Sequence, residues 1–206
     1  TNVAWTDNST VPGWYSTRAT YNAGTGSSNT GSIYSFGIAG TNPVTDRALG
    51  SVASGGTTTI YNAACFTNNT GAALTSVDIA YIGEQWRNGG NTTAHSLTVE
   101  YQIANTGVIT DANTPASGWL AAGAALDFTG PIATATAAAL DGNALANRLA
   151  RSANIAAAVA SGQEFWIRWV DPDNTGSDHG LAVDDFSITP QGAGPVVPAL
   201  SINNVT

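Results

Sequence analysis

The amino-acid sequence predicts an all-β protein, built as an antiparallel sandwich of two sheets. The 206 residues divide into short apolar or alternating runs, which clusters of Gly, Asn, Thr and Ser separate along most of the chain. This spacing is typical of short strands joined by turns. Two runs alternate strictly, so that one side of each strand faces a core and the other faces solvent. Together these patterns favour a β-sandwich.

Six runs read as strands of this sandwich. In chain order they are residues 31–40, 57–69, 74–87, 95–104, 164–170 and 180–189. In the two strictly alternating runs, the side chains assigned to the core face are Thr75, Val77, Ile79, Tyr81, Leu97, Val99, Tyr101 and Ile103.

One segment departs from the strand pattern. Residues 132–162 are rich in Ala and Leu, which favour helix. However, an Asp-Gly-Asn sequence at 141–143 interrupts the segment, and no helical stripe of apolar residues persists. We therefore expect a loop and a strand here, with at most one short helical turn near 143–149.

The predicted domain covers residues 1–190, and a different composition follows. Pro and Gly in residues 191–206 indicate an extended linker. The last eight residues, "ALSINNVT", resemble the first strand of a Calx-β repeat. Because the chain also begins at Thr1 rather than Met, we expect it to be a piece of a longer protein, with further domains of that protein as partners.

Charge and cysteine content narrow the classes of partner. Only 10% of residues are charged, the net charge is −8, and Lys is absent. Without a basic patch we expect no nucleic-acid binding. Without a basic amphipathic helix or a long apolar run we expect no membrane insertion. Low charge with abundant Thr, Asn and Gly is associated with extracellular bacterial β-proteins, and the single Cys65 reads as a small buried hydrophobic residue.

Carboxylates concentrate near the C-terminus. Asp171, Asp173 and Asp178 lie in a predicted loop, and Asp184 and Asp185 follow on a predicted strand. Neighbouring strand residues point to opposite faces, so one of Asp184 and Asp185 should face inward and need a partner. That partner is either Ca²⁺, which prefers oxygen ligands, or an arginine, with the loop as a solvated turn. A catalytic pair of carboxylates would need a cleft, which the sequence does not indicate.

A second polar cluster lies at residues 81–91, where a strand ends before a Gly-rich turn. Here an exposed Trp86 beside Glu84 and Arg87 could stack on a sugar ring and bind its hydroxyls. The alternative places Trp86 in the core, with Glu84 paired to Arg87 or Arg168. The candidate ligand-binding residues are Glu84, Trp86, Arg87 and His179.

The two histidines give no support for catalysis. His179 follows Ser177 and Asp178, but three adjacent residues cannot form a proton relay, and no nucleophile-elbow motif is present. His95 is too distant in sequence for zinc-ligand spacing, and His179 is expected to be a loop residue that bonds to backbone. With three Glu and eleven Asp, mostly in predicted loops, a hydrolase or lyase is the least favoured function.

The motifs of this chain resemble those of a known but poorly characterised group of proteins. "PGWY", "TDRALGS", "YIGEQWR", "WIRWVD" and "SDHGLAVDDFSI" occur in this order. They resemble an uncharacterised bacterial extracellular module found in large surface or secreted proteins. The resemblance covers about residues 2–190 and implies an extracellular or cell-surface location.

More distantly, the layout is similar to MAM-type and other concanavalin-like jelly rolls. Those domains open with an acidic residue near "GW" and close with a paired-Asp motif on the last strand, and the acids meet at a cation. The resemblance implies a jelly roll in which the first and last strands are neighbours. It also implies a calcium site, whose candidate ligands are Asp7, Asn29, Asp178, Asp184 and Asp185.

The sequence therefore predicts a non-catalytic adhesion or carbohydrate-binding module, stabilised by calcium and belonging to an exported multidomain protein. Its expected ligand is a polysaccharide or a cell-surface glycan. The alternative is a purely structural spacer or surface-array domain, in which the same residues serve packing alone.

Overall fold

The computed structural model describes residues 2–38, 46–192 and 200–201. In these ranges the chain forms fifteen strands and one 3-10 turn, Leu145–Asn147, which confirms the all-β prediction. None of the described residues forms a helix long and apolar enough to cross a membrane. The strands are β1 (Asn2–Ala4), β2 (Trp14–Ser16), β3 (Thr20–Gly24), β4 (Ser32–Phe36), β5 (Ala48–Val52), β6 (Ile60–Thr67), β7 (Leu74–Asn88), β8 (Ser96–Asn105), β9 (Leu120–Ala121), β10 (Phe128–Thr129), β11 (Ala138–Ala139), β12 (Arg148–Val159), β13 (Gln163–Asp171), β14 (Gly180–Gly192) and β15 (Leu200–Ser201).

The strands form two sheets that pack face to face as a jelly-roll sandwich. The first sheet has the order β1-β3-β4-β5-β14-β7, with β11 and β12 pairing β7 and with β15 pairing β14. The second sheet has the order β10-β8-β13-β6-β2, with β9 pairing β8. Among the strand pairs described, β3 and β4 run parallel and the others run antiparallel.

The core lies between the sheets and follows the predicted alternation. Val77, Ile79 and Tyr81 of β7 are at most 2% exposed, as are the inward residues of the facing β13. Trp169 is central: its ring stacks on Trp14 at 5.5 Å between centroids and meets Phe186 edge-on at 5.2 Å. Aromatic contacts of this kind add to the stability gained from burying the rings.

The Ala-rich segment forms a strand, as expected, despite its helix propensity. After the single 3-10 turn, β12 pairs β7 from Arg148 opposite Glu84 to Val159 opposite Leu74. Ile155 and Val159 are buried against the core, so tertiary packing outweighs local preference here.

A bulge in β14 corrects the expectation that one of Asp184 and Asp185 points inward. Asp184 pairs with Ile82 of β7 and Ser187 pairs with Ala80, so β14 advances by three residues where β7 advances by two. The extra residue is Asp185, whose φ of 49° lies in the left-handed region that Asp tolerates. Asp184 is half-buried and Asp185 is exposed, while Phe186 takes the core position.

The first and last strands are not neighbours, which corrects a second expectation. Three strands, β3, β4 and β5, separate β1 from β14 in the first sheet. At the C-terminus, β14 continues to Gly192, and Leu200 pairs with Ile188 of β14. Residues 193–199 and 202–206 of the predicted linker and following module lie outside the described residues.

Candidate functional site

The residues assigned to ligand contact lie inside the protein, and this assignment is therefore wrong as a surface site. Trp86 and Glu84 are each 1% exposed, His179 is 1% exposed and Arg87 is 8% exposed. The indole N–H of Trp86 donates to Glu84 Oε2 at 2.8 Å, so the carboxylate is engaged inside the fold. A sugar ring cannot stack on Trp86 here, and the core alternative is the one observed.

These buried residues instead support a surface loop. Trp86 continues a row of stacked rings on the outer side of the first sheet, with Phe36 at 5.8 Å and Tyr34 a further 4.9 Å away. Arg87 Nη1 donates to the carbonyl oxygens of Gly26 and Ser27, both at 3.1 Å. The loop between β3 and β4 is therefore fixed by a guanidinium group and lies beside the end of an aromatic row.

Gly26 is required for the close approach of this loop to β7. Its φ is +76°, and a Cβ atom placed there would lie 1.7 Å from the carbonyl oxygen of Trp86. Only glycine permits both the left-handed backbone and this contact.

The β3–β4 loop forms one wall of an open groove at the edge of the first sheet. The groove has a volume of about 290 Å³, and we call it the polar groove. Among the described residues no charged side chain lines it. Its floor includes Tyr34, and its walls carry the amide or hydroxyl groups of Asn2, Asn22, Thr25, Ser27, Ser28 and Thr30.

Several polar groups of the groove are held in place while others stay available. Thr25 Oγ1 donates to Ser27 Oγ at 3.2 Å, and the Tyr34 hydroxyl donates to Thr30 O at 2.6 Å. The Asn2 amide and the Thr30 hydroxyl make no side-chain hydrogen bond within the described ranges. A neutral ligand rich in hydroxyl groups would find both donors and acceptors here. The sequence reasoning missed these residues, although the polar run "TGSSNT" at 25–30 was the available signal.

Carboxyl groups do gather around Asp184. Burial raises the pKa of Asp184 to about 8, and the neighbouring carboxyls of Asp46, Glu84 and Asp185 act in the same direction. Burial likewise raises the pKa of Glu84 to about 7, which the bond from Trp86 partly offsets. At neutral pH Asp184 is therefore expected to be mostly protonated and Glu84 about half protonated.

The five predicted calcium ligands do not come together. Asp7 Oδ1 accepts from Trp5 Nε1 at 2.7 Å and from Ser16 N at 2.9 Å, so it closes its own turn. Asn29 is exposed on the β3–β4 loop, and Asp178 lies in the β13–β14 loop, where it accepts from Asn174 N. In the part of the chain that is described, no three His, Cys, Asp or Glu side chains form a group that could hold a metal ion.

The β13–β14 loop is anchored to the sandwich by buried polar groups rather than being a freely solvated turn. Ser51 Oγ donates to Asp171 Oδ2 at 2.6 Å, and burial raises the pKa of Asp171 to about 7. Asn91 Nδ2 donates to Thr175 O at 2.9 Å.

The two histidines stack beside this loop at 4.3 Å between ring centroids. Gly89 N donates to His179 Nδ1 at 2.9 Å, as expected for a histidine that bonds to backbone, and His179 N donates to His95 Nδ1. Burial lowers the pKa of His179 to about 4 and also lowers that of His95, so both rings are neutral at pH 7. Asp178 is also buried, at 7% exposure, and its Oδ1 lies 3.4 Å from His95 Nδ1, so the three side chains form a buried structural cluster.

Arg168 forms a further polar centre on the outer side of the second sheet. Its Nη2 lies 2.6 Å from Glu100 Oε2, and its guanidinium carbon lies 4.0 Å from the centre of the Trp119 ring and 4.5 Å from that of Tyr61. Arg168 Nη1 also donates to the Ala112 carbonyl oxygen, so this residue holds the long β8–β9 connection against the sheet. Glu84 pairs with neither Arg87 nor Arg168, contrary to the alternative raised for it.

Comparison with known proteins adds little to these observations. No family model matches the chain, and no curated protein matches it. One solved structure with a similar layout is TmCBM61, a carbohydrate-binding module, in complex with beta-1,4-galactotriose. It is 8% identical, the match covers 86% of this chain and 88% of that chain, and the TM-score is 0.39. The present chain is thus assigned to no family.

Proposed function

We propose that this chain is a non-catalytic glycan-binding or adhesion module of an exported bacterial protein, and that it binds a neutral saccharide in the polar groove. The observation that carries the proposal is the groove itself, which offers amide and hydroxyl groups without a charged side chain. Neutral sugars are recognised by such groups, since each ring hydroxyl both donates and accepts.

The buried cluster behind the groove supports this proposal in a different way from that first expected. Arg87 fixes two carbonyl groups of the β3–β4 loop, and the ring row ending at Tyr34 underlies the groove. A loop fixed in advance loses less entropy when it binds a ligand. Arg87 and Trp86 would then act as positioning residues.

Calorimetric titration with neutral and acidic oligosaccharides tests the proposal. We expect saturable binding of a neutral oligosaccharide, weakened about fivefold by Asn2→Ala, since one lost hydrogen bond is worth about 1 kcal/mol. Asn154→Ala removes an exposed amide from β12 and serves as the matched control. Absence of binding to every saccharide by the folded protein would favour a structural spacer, and equal losses in both variants would place the site elsewhere.

We propose further that calcium binds near Asp184 and Asp185, two of the five residues first assigned to it, and not at Asp7, Asn29 or Asp178. The support is chemical: carboxylate oxygens are the ligands that Ca²⁺ prefers, and Asp46, Glu84 and Asp185 are near enough to raise the pKa of Asp184, although no three acids of the described residues are arranged as a ready-made metal site. Binding to the native state alone would raise its stability by mass action. We expect the unfolding temperature to fall in EDTA and to recover with Ca²⁺ but not with Mg²⁺. An unchanged unfolding temperature in a sample that metal analysis shows to be calcium-free would reject this site.

A further inference from the structure

A pocket separate from the polar groove opens at one end of the sandwich, between the two sheets. Its volume is about 240 Å³, and we call it the end pocket. Both sheets contribute apolar walls, which come from Phe66, Leu74, Val77, Val159, Phe165 and Ile188.

The size and walls of the end pocket suit one aromatic ring. A cavity of about 150 Å³ lined by Leu, Ile and Phe stays dry and binds benzene, so this larger pocket has room for a ring with one small substituent. Phe66 and Phe165 are opposite each other in the β6–β13 register, so they present two neighbouring rings to an occupant. Aromatic pairs prefer edge-to-face or offset contacts, which gain free energy beyond that of burying the rings.

The mouth of the pocket is fixed by the β6–β7 turn. Asn68 Nδ2 donates to the carbonyl oxygens of Ala72 and Val159, both at 2.8 Å. Asn68 Oδ1 accepts from the backbone N–H and the hydroxyl of Thr70, so its amide is fully used within the turn. The mouth therefore does not depend on a ligand for its shape.

Asn69 provides an available polar group at this mouth. It is exposed and lines the pocket, and its side chain makes no hydrogen bond to any other described residue. An apolar interior with one free amide at the entrance favours a ligand with an apolar body and one polar substituent.

We propose that the end pocket binds a small monoaromatic alcohol or phenol, with its ring between the sheets and its hydroxyl at Asn69. This inference is independent of glycan binding, since the end pocket and the polar groove share no lining residue among those described.

Titration with phenol, followed by amide chemical shifts, tests the proposal on the intact chain. We expect saturable binding, with the largest shifts at Phe66, Val159 and Asn69. Leu74→Phe fills the rim of the pocket and should weaken phenol binding at least about tenfold, since overpacking leaves no room for the ring. Leu149→Phe, at an exposed leucine of β12, is the matched control and should leave binding unchanged.

A second comparison tests the polar contact. Asn69→Ala should weaken phenol binding several-fold while leaving benzene binding unchanged. Lack of saturable phenol binding, shifts confined to other regions, or equal affinity in the Leu74→Phe and Leu149→Phe proteins would each overturn the proposal. If Leu74→Phe does not fold, the shift map of the unaltered protein decides alone. None of these results bears on the glycan titration, so the two proposals fail separately.

Discussion

The buried Asp171 makes the stability of this protein depend on pH in a predictable direction. Asp171 is 2% exposed, and burial raises the pKa of its carboxyl group from 3.8 to about 7. Because the folded-state pKa exceeds the unfolded-state value, protonation favours the native state. This stabilising contribution is complete below pH 3.8 and is lost as pH rises through about 7.

The magnitude follows from the two pKa values. Between about pH 5 and pH 8 the unfolded chain keeps Asp171 ionised, while the folded chain must give up its proton. Each pKa unit corresponds to about 1.4 kcal/mol, so this one group should lower the free energy of unfolding by about 2–3 kcal/mol across that range. Asp171→Asn removes the titration and keeps an acceptor for Ser51 Oγ.

Urea unfolding followed by tryptophan fluorescence at both pH values measures the effect. From about pH 5 to pH 8 the unaltered protein should lose about 2–3 kcal/mol of unfolding free energy through Asp171, and the Asp171→Asn protein should not lose this contribution. The unfolding free energy of the variant should therefore rise by about 2–3 kcal/mol relative to that of the unaltered protein. Asp141→Asn, at an exposed position that does not act on the Asp171 pKa, is the control for removing one negative charge. A difference that is the same at both pH values would show that Asp171 is not held as a buried protonated acid.

Three further predictions concern the packing of Trp86, the close approach of the β3–β4 loop and the anchoring of the β8–β9 connection. Trp86→Ala should lower the free energy of unfolding by about 3–5 kcal/mol, measured by urea unfolding, because it empties a fully enclosed site; Trp86→Phe should cost less. Gly26→Ala should lower it by about 2 kcal/mol or more, because a Cβ atom there meets the Trp86 carbonyl oxygen, and an unaltered melting curve would contradict that geometry. Arg168→Lys should lower the free energy of unfolding by about 1–2 kcal/mol and speed proteolysis of the β8–β9 connection, because lysine lacks the planar group that lies over the Trp119 and Tyr61 rings. Unchanged proteolysis would show that other contacts hold that segment.

Local alternation was enough to predict much of the fold. The long strands β7, β8 and β13 agree with the predicted runs to within a residue or two at each end, because at least one face of each is buried. Short strands such as β1 and β2 have three residues each, too few to show a period. The order of strands in a sheet depends on contacts far apart in sequence, which is why β1 and β14 were wrongly expected to be neighbours.

The site was harder to predict because burial is a property of the whole fold. Trp86 is enclosed through Phe36, fifty residues earlier in the chain, and no local pattern distinguishes that from an exposed ring. The motif at 84–87 was correctly recognised as unusual, but its role is to support a neighbouring loop. The polar groove draws on β1, β3 and the β3–β4 loop, whose separate sequences give no sign that their side chains converge.

The bulge at Asp185 also changes which residues of β14 face the core. Before it these are the odd-numbered Leu181 and Val183, and after it they are the even-numbered Phe186 and Ile188. Replacing Asp185 by another residue that accepts a positive φ would preserve the bulge, and the same side chains of β14 would face the core. Deleting Asp185 would remove the bulge and leave a regular strand, in which Ser187 still pairs with Ala80 and Phe186 and Ile188 keep their core positions. The bulge thus takes up one extra residue without changing which side chains reach the core, and variants of this domain should tolerate loss of a residue here better than elsewhere in β14.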